Sequence, residues 1–267
     1  GVFTPEFAYS REDRDGIKFG DELKRIGYLG SEPVGSHKFQ AMFELHIEQG
    51  PILEAEEKMI GVVTGVQGMR WYEVTVHGQE SHTGATPMLL RKNALLGASR
   101  MIEAIHQVGL SHLPGVASVG LIENRPNSRN VVPGEVFFTV DLRHPDEAVL
   151  DKMEAAFRAA LGPIAEAEKL TFEEKCIWKS PAVKFNAELI ECVRKGGAQA
   201  GYKMREMASG AGHDAAYIAR VAPTTMIFVP CLGGISHNEA ESTTFEECGA
   251  GSQVLLNAVL EYDQKLA

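Results

Sequence analysis

The chain has 267 residues, enough for one large or two ordinary domains, and is 44% hydrophobic and 23% charged, as soluble globular proteins are. Lys and Arg number 26 against 36 Asp and Glu, a formal net charge of -10, which disfavours nucleic acid or an anionic membrane as partner. Cys176, Cys192, Cys231 and Cys248 have no paired spacing, which disfavours a disulfide framework or a thiolate zinc site and fits reduced thiols in a cytoplasmic protein.

Residues 1–40 are polar and Gly-rich. Within them Phe19 to Gly27 predicts a short helix started by Asp21, with Leu23 and Ile26 inward and Gly27 ending it. Residues 41–47 predict a buried strand, and Ile60 to Val66 is a β-branched run broken by glycines. The pattern then changes. Trp71 to Val76 alternates as a half-buried strand does. Asn93 to Val108 places Leu95, Leu96, Met101, Ile102 and Ile105 at helical spacing. Val116 to Ile122 and Val136 to Leu142 predict strands. Glu147 to Leu161 predicts a helix with Val149, Leu150, Met153 and Phe157 on one face, and Leu170 to Trp178 predicts a closing strand. The order β-α-β-β-α-β makes a four-stranded antiparallel sheet with two helices on one face, a ferredoxin-like α+β arrangement. After Pro181 the character is α/β again: an amphipathic helix over Asn186 to Ala200, a fully apolar strand at Thr225 to Val229, and a helix from Phe245 to Tyr262. The segments flanking the insert are expected to share one sheet. No apolar run reaches membrane-spanning length, and no signal peptide is visible. The chain opens Gly-Val-Phe rather than with Met, so a piece of a longer protein is expected.

Five constellations carry chemistry. His46 lies in Glu44-Leu-His-Ile-Glu48-Gln-Gly-Pro; an imidazole flanked by carboxylates suits a divalent metal, although a lone His at a strand end is more often a satisfied core or surface residue. A second imidazole flanked by an acid occurs at Ser236-His237-Asn238-Glu239, nearly two hundred residues on. His82 sits in a Ser-, Thr- and Gly-rich loop, which suits ligand contact or is an incidental surface loop. Asn127, Arg129, Asn130 and Arg143 suit a carboxylate, since a guanidinium fork binds both oxygens at once. Equally, they fit a solvated hairpin with Arg143 ion-paired to Asp141 or Asp146. Ser209-Gly-Ala-Gly-His213-Asp214 lacks both a phosphate-loop Lys and the dinucleotide spacing, which rejects nucleotide binding. His213 and Asp214 there are candidates to support a metal site. No Gly-x-Ser-x-Gly elbow is present, which weakens a serine hydrolase reading.

Five motifs, Glu-Leu-His-Ile-Glu-Gln-Gly-Pro, His-Thr-Gly-Ala-Thr-Pro-Met, Arg-Pro-Asn-Ser-Arg-Asn-Val-Val-Pro-Gly, Ser-Gly-Ala-Gly-His-Asp-Ala and Gly-Ile-Ser-His-Asn-Glu-Ala-Glu, follow one another along the chain. In this order they resemble the hydantoinase/carbamoylase amidases, M20-type metallopeptidase relatives that include N-carbamoyl-L-amino acid hydrolases, allantoate amidohydrolases and β-ureidopropionases. The resemblance implies a zinc-peptidase-like α/β catalytic domain, residues 1–65 and 180–267, interrupted at 66–179 by a dimerisation lid. It implies two divalent ions, zinc, manganese, cobalt or nickel, with His46 and His237 as ligands. His82 is implied to reach the partner subunit's active site and polarise the scissile carbonyl. Asn130 and Arg143 are implied to hold the substrate carboxylate, and Gly212 and His213 to contact the substrate. The family's other ligands and its general base, a Glu, lie in an upstream segment. No catalytic base is therefore assigned in this chain, and the chain alone is expected to be inactive and to bind metal weakly. The expected substrate is a small carboxylate-bearing ureido compound. Met69 stands where allantoate enzymes tend to carry Gln, which tilts the reading towards N-carbamoyl-L-amino acids over allantoate or ureidopropionate. A dimerising fragment without a complete metal site is the non-enzymatic alternative, and a peptidase or aminoacylase is disfavoured by the motifs.

Overall fold

The computed structural model describes residues 3–266. It divides into two compact units, one ending at Gln40 and one beginning at Ala41. The segment 1–65 expected as one piece spans both. In the first unit, α1 (Pro5–Tyr9) is capped by Thr4, whose hydroxyl accepts from Phe7 N–H, with proline in the first turn. The second helix, α2 (Phe19–Arg25), begins two residues ahead of Asp21, which lies in its first turn rather than at its cap. Ile26, expected to face inward, follows the helix and is exposed. Gly20 sits so close to Tyr9 that an added Cβ would come within 2.7 Å of the Tyr9 Cβ, so only glycine fits there.

From Ala41 the order is β1 (Met42–Ile47), α3 (Ile52–Ala55), β2 (Ile60–Val66), β3 (Gly68–His77), β4 (Ser81–His82), α4 (Ala94–Leu110), β5 (Val116–Ser118), β6 (Ile122–Arg125) and β7 (Val131–Val132). It continues with β8 (Glu135–His144), α5 (Glu147–Ala167), β9 (Thr171–Ser180), β10 (Val183–Lys184), α6 (Ala187–Gln199), β11 (Met204–Ser209), α7 (Asp214–Ile218), β12 (Thr224–Val229) and α8 (Phe245–Leu266).

One sheet is built from strands on both sides of the insert. β1 pairs parallel with β12, β12 antiparallel with β2, and β2 parallel with β11, with the short β10 also on β2. All six residues of β12 are buried, as its apolar run predicts for a strand covered on both faces. β1 is half-buried along its whole length rather than buried, since it stands at the end of the strand order, paired with β12 on one side. α6, capped by the Asn186 side chain, and α8 pack on each other and on this sheet. Their shared core includes Val62, Val63, Phe228, Val254 and Ala258.

The second sheet runs β5-β8-β3-β9, wholly antiparallel, with β6 also on β8 and α4 and α5 on one face. This is the expected β-α-β-β-α-β order. Buried and half-buried residues alternate along β8, so Phe138, Val140 and Leu142 face the helices while the other face stays open. Tyr72, Met101, Ile105, Met153 and Phe157 complete that core. The single strand expected at 116–122 is two pieces. Ser118 lies opposite Asp141 and Ile122 opposite Phe138, so the edge gains one residue over β8 and bulges between them. α5 continues past Leu161 through Pro163, because Leu161 and Ala165 are still buried against the core.

The chain passes between the two cores at Val66–Gly68 and again at Ser180–Val183. The Glu147 carboxylate meets both passages: it accepts from Arg70 Nη2 at 2.7 Å and from Ala182 N–H at 2.9 Å. Gly68 leaves room for it, since an added Cβ would lie 2.8 Å from Glu147 Oε2. Among the described residues, no helix is long and apolar enough to cross a membrane, and the four cysteines are free.

Candidate metal centre and substrate cleft

The period of β1 places Glu44 and His46 on one face and Phe43 and Leu45 on the other, where they pack against the apolar core. His46 lies beside its register partner Phe228 on β12, and the two rings are 6.4 Å apart. The His213 ring is 4.6 Å from that of His46, near-perpendicular, and 5.6 Å from Phe228. Ligand atoms of Glu44, His46 and His213 all lie within 4.8 Å of one another.

Hydrogen bonds fix which nitrogens are free. His46 Nδ1 lies 2.7 Å from the Ile47 carbonyl, which only accepts, so Nδ1 carries the proton and Nε2 keeps its lone pair. The Ser209 hydroxyl donates to the Ala211 carbonyl at 3.1 Å and therefore receives from His213 Nε2 at 2.7 Å. His213 Nδ1 is then a bare acceptor, 3.6 Å from Glu44 Oε1. Burial, and then the neighbouring His46, pull the His213 pKa down to about 4, so this imidazole is neutral at neutral pH. Two acceptors facing each other across such a gap are mutually repulsive until a cation lies between them. The Glu44 carboxylate is anchored by its other oxygen, which accepts from Ala215 N–H at 2.8 Å at the start of α7. Two imidazoles and a carboxylate suit zinc or a similar divalent ion.

His237 follows β12 in a loop whose turn needs Gly233 and Gly234 at positive φ; an added Cβ on Gly234 would lie 2.9 Å from Pro51 N. His237 itself adopts a φ of 54°, uncommon for a side-chain-bearing residue, and its N–H donates to Glu241 at 2.9 Å. The Gln49 amide donates to Ser236 Oγ at 3.0 Å and ties this loop to the end of β1. The two His-acid segments are thus neighbours at the ends of paired strands. His237 is exposed and stands outside the tight group of Glu44, His46 and His213.

His46, His213 and His237 line one cleft of about 460 Å³ together with Met69, Arg143 and Gly212, a volume suited to a small molecule. Arg143 is paired with Asp141, as one of its two sequence readings anticipated. Its Nε bonds both Asp141 oxygens at 3.0 and 3.1 Å, and Nη2 bonds one at 2.6 Å. Nη1 donates to the Gly210 carbonyl at 2.5 Å. Three of the five guanidinium N–H groups are thereby engaged, and one on each terminal nitrogen remains.

His82 and Asn130 are not among the cleft residues. His82 ends β4 opposite Val131 of β7, and Asn130 stands just before β7, where Thr83 N–H donates to its carbonyl at 3.1 Å. Both are exposed. His82 Nδ1 accepts from the N–H groups of Gly84 and Ala85 at 3.0 and 3.1 Å, so the neutral ring presents Nε2–H outward as a donor. Glu48, the other acid beside His46, is turned away to cap α3, accepting from Ile52 and Leu53 N–H. Burial pushes its carboxyl up despite those donors. The residue that sequence reasoning did not single out is Glu44; its two-residue spacing from His46 on a strand was the available signal.

Known proteins resemble this chain in sequence and fold. The family described as Peptidase family M20/M25/M40 matches over residues 17–261. The N-carbamoyl-L-amino-acid amidohydrolase of Rhizobium meliloti is 52% identical over 98% of this chain and 63% of its own length. The allantoate amidohydrolase of Escherichia coli is 35% identical over 96% of this chain and 63% of its own. The crystal structure of a hydantoinase/carbamoylase family amidase from Burkholderia multivorans superposes with a TM-score of 0.94 at 54% identity, over 97% of this chain and 64% of that one. The chain spans under two thirds of the length of these relatives. With five motifs, both cores and the imidazole-bearing cleft falling inside the matched stretch, the chain belongs to peptidase family M20/M25/M40.

Proposed function

We propose that the protein hydrolyses the C–N bond of N-carbamoyl-L-amino acids, as a homodimer joined through the second sheet and its helices, in the cytoplasm, with two divalent ions. The carrying observation is the acid–imidazole group Glu44, His46 and His213, whose two imidazoles line the same cleft as Arg143. Glu44, His46 and His213, with His237 across the cleft, are the residues that would hold metal. A divalent metal bound there supplies Lewis acidity and lowers the pKa of a bound water to about 7. The two open N–H groups of Arg143 grip the substrate carboxylate and orient the ureido carbonyl towards the imidazoles. His82, exposed and not among the residues lining its own cleft, donates from Nε2–H to the carbonyl oxygen in a partner copy; such a donor is worth about 100-fold or more in rate. Asn130, next to His82, travels with it to hold the carboxylate, and Gly212 gives the substrate close approach to backbone. The general base and the remaining ligands are assigned to the length that the relatives carry beyond the matched stretch. One water is consumed for each amino acid, carbon dioxide and ammonia released.

Allantoate is the second reading, favoured by the Escherichia coli relative's name. Met69 argues against it, because a thioether in the cleft offers no amide hydrogen bonds to a second ureido group. Ammonia release from N-carbamoyl-L-amino acids, allantoate and ureidopropionate, assayed on a protein of the relatives' length that carries this chain, decides. Turnover of the carbamoyl amino acids, abolished by a chelator and restored by metal, is expected. Cleavage of peptides with no release of ammonia from any ureido compound would refute the proposal.

A further inference from the structure

The sequence holds two tryptophans, and the fold sets them side by side in the wall of this cleft. Trp71 on β3 is the register partner of Trp178 on β9, with ring centroids 5.8 Å apart. Both are left open to solvent, 37% and 44% exposed. An adjacent pair of large exposed rings is unfavourable unless something apolar covers it.

The sheet explains their position. Directly opposed residues in an antiparallel sheet share a face. One row across β8, β3 and β9 therefore reads Arg143, Met69, Ser180, and the next reads Asp141, Trp71, Trp178. Both rows lie on the face away from α4 and α5, since the intervening Arg70 and Leu142 point to the helices: Arg70 is ion-paired to Glu154 on α5 and Leu142 is buried in the helix-side core. β9 holds an extra residue at this point: the register steps from Trp178 opposite Trp71 to Cys176 opposite Tyr72, leaving Ile177 bulged. A bulge re-aims the neighbouring side chain, here Trp178. Met69, in the Arg143 row, reaches the metal-side loop, since an added Cβ on Gly212 would touch its methyl at 3.9 Å.

Two residues along a strand span about 7 Å, the step from the Arg143 row to the tryptophan row. That step matches the reach from the carboxylate of an α-amino acid to the far edge of an aromatic ring on its β-carbon. A carboxylate held by Arg143 thus lays the substrate's own side chain across Met69 onto the two indoles.

We infer that Trp71 and Trp178 form the side-chain subsite, and that the substrates taken best are N-carbamoyl-L-amino acids with aromatic or large apolar side chains. The inference rests on the hydrolase reading above. Its test measures kcat/KM for N-carbamoyl derivatives of phenylalanine, tryptophan, methionine, glycine and aspartate in the protein of full length. The wild type is expected to prefer the aromatic and methionine derivatives. Trp71→Ala and Trp178→Ala are each expected to lower the phenylalanine-to-glycine ratio of kcat/KM by about 10-fold or more, the scale on which apolar pockets discriminate. Trp71→Phe and Trp178→Phe should restore most of it. A flat wild-type profile, a preference for aspartate, or a loss that leaves the ratio unchanged would each overturn the assignment. If no compound is hydrolysed, the hydrolase reading fails while the subsite is still read by tryptophan emission. A shift with N-carbamoyl-L-phenylalanine, absent with N-carbamoylglycine and lost in the Trp71→Phe, Trp178→Phe double variant, supports it; no shift refutes it.

Discussion

Arg143 is held in place before any substrate arrives. Asp141 takes one edge of its guanidinium and the Gly210 carbonyl a third donor, so the remaining N–H groups point in a fixed direction. Lysine supplies three donors from a point charge and cannot serve Asp141, Gly210 and a carboxylate with that geometry. Arg143→Lys is therefore expected to raise KM by about 10-fold or more, with a smaller change in kcat, since a charged hydrogen bond contributes roughly 1.5–3 kcal/mol. Steady-state kinetics check it, and an unchanged KM would remove Arg143 from carboxylate binding. At this scale the sequence was legible where chemistry is local. An imidazole between acids marked His46, and the guanidinium marked Arg143. It did not show that Glu44 rather than Glu48 shares the space of His46, because strand parity puts both acids on the His46 side and only the cap of α3 draws Glu48 away. Nor did it show His213 against His46, a contact made by two strands and a short helix meeting across the sheet.

Elements carry a second group of charges. Glu147, Asp151 and Glu154 recur along one face of α5 and all reach Arg70 on β3, whose side chain is only 6% exposed. Lys179 on β9 adds bonds to Glu154 at 3.0 and 3.1 Å. Burial alone would push the Glu154 carboxyl up; the nearby Tyr72 hydroxyl, which sits off regular hydrogen-bond geometry, and then Lys179 and Arg70 more than offset it and pull the pKa from 4.5 to about 2. A carboxyl with a depressed folded pKa stabilises above its unfolded value and loses that contribution as pH falls through the folded one. Glu154→Gln is expected to cost on the order of 3 kcal/mol at pH 7, leaving Arg70 and Lys179 underpaired. The gap between wild type and variant should narrow between pH 4.5 and about 2, as denaturant titrations at pH 7 and pH 3 would show. A gap that does not change with pH would remove Glu154 from the ionised network. The helices α4 and α5 and the strands between them were legible because their apolar residues recur at 3.6 or 2. β11 was not, since Met204 to Ser209 is mostly half-buried with no alternation, and its partner β2 lies on the far side of the insert. The bulge between β5 and β6 was equally silent: register depends on the strand opposite, not on the local run.

For the whole molecule, the role proposed for His82 is the one that calls for a second copy. His82 stands on a two-strand ladder outside the cleft that holds the imidazoles of its own chain. His82→Ala is expected to lower turnover by about 100-fold while leaving bound metal unchanged, read by kinetics and metal analysis on the same preparation. Loss of metal instead would place His82 among the ligands. Sedimentation should return a dimer for both proteins, and a fully active monomer would exclude the partner role.

A single side chain meets the polypeptide where it leaves one core and where it returns. Glu147 holds Arg70 just after the outward crossing and Ala182 at the inward one. Any hinge rotation that swings the ferredoxin-like half away from the imidazoles must first release this carboxylate, and with it the Arg143 bond to Gly210. The same acid opens α5, so the stiffness of the joint and the packing of that helix's charged face are set together.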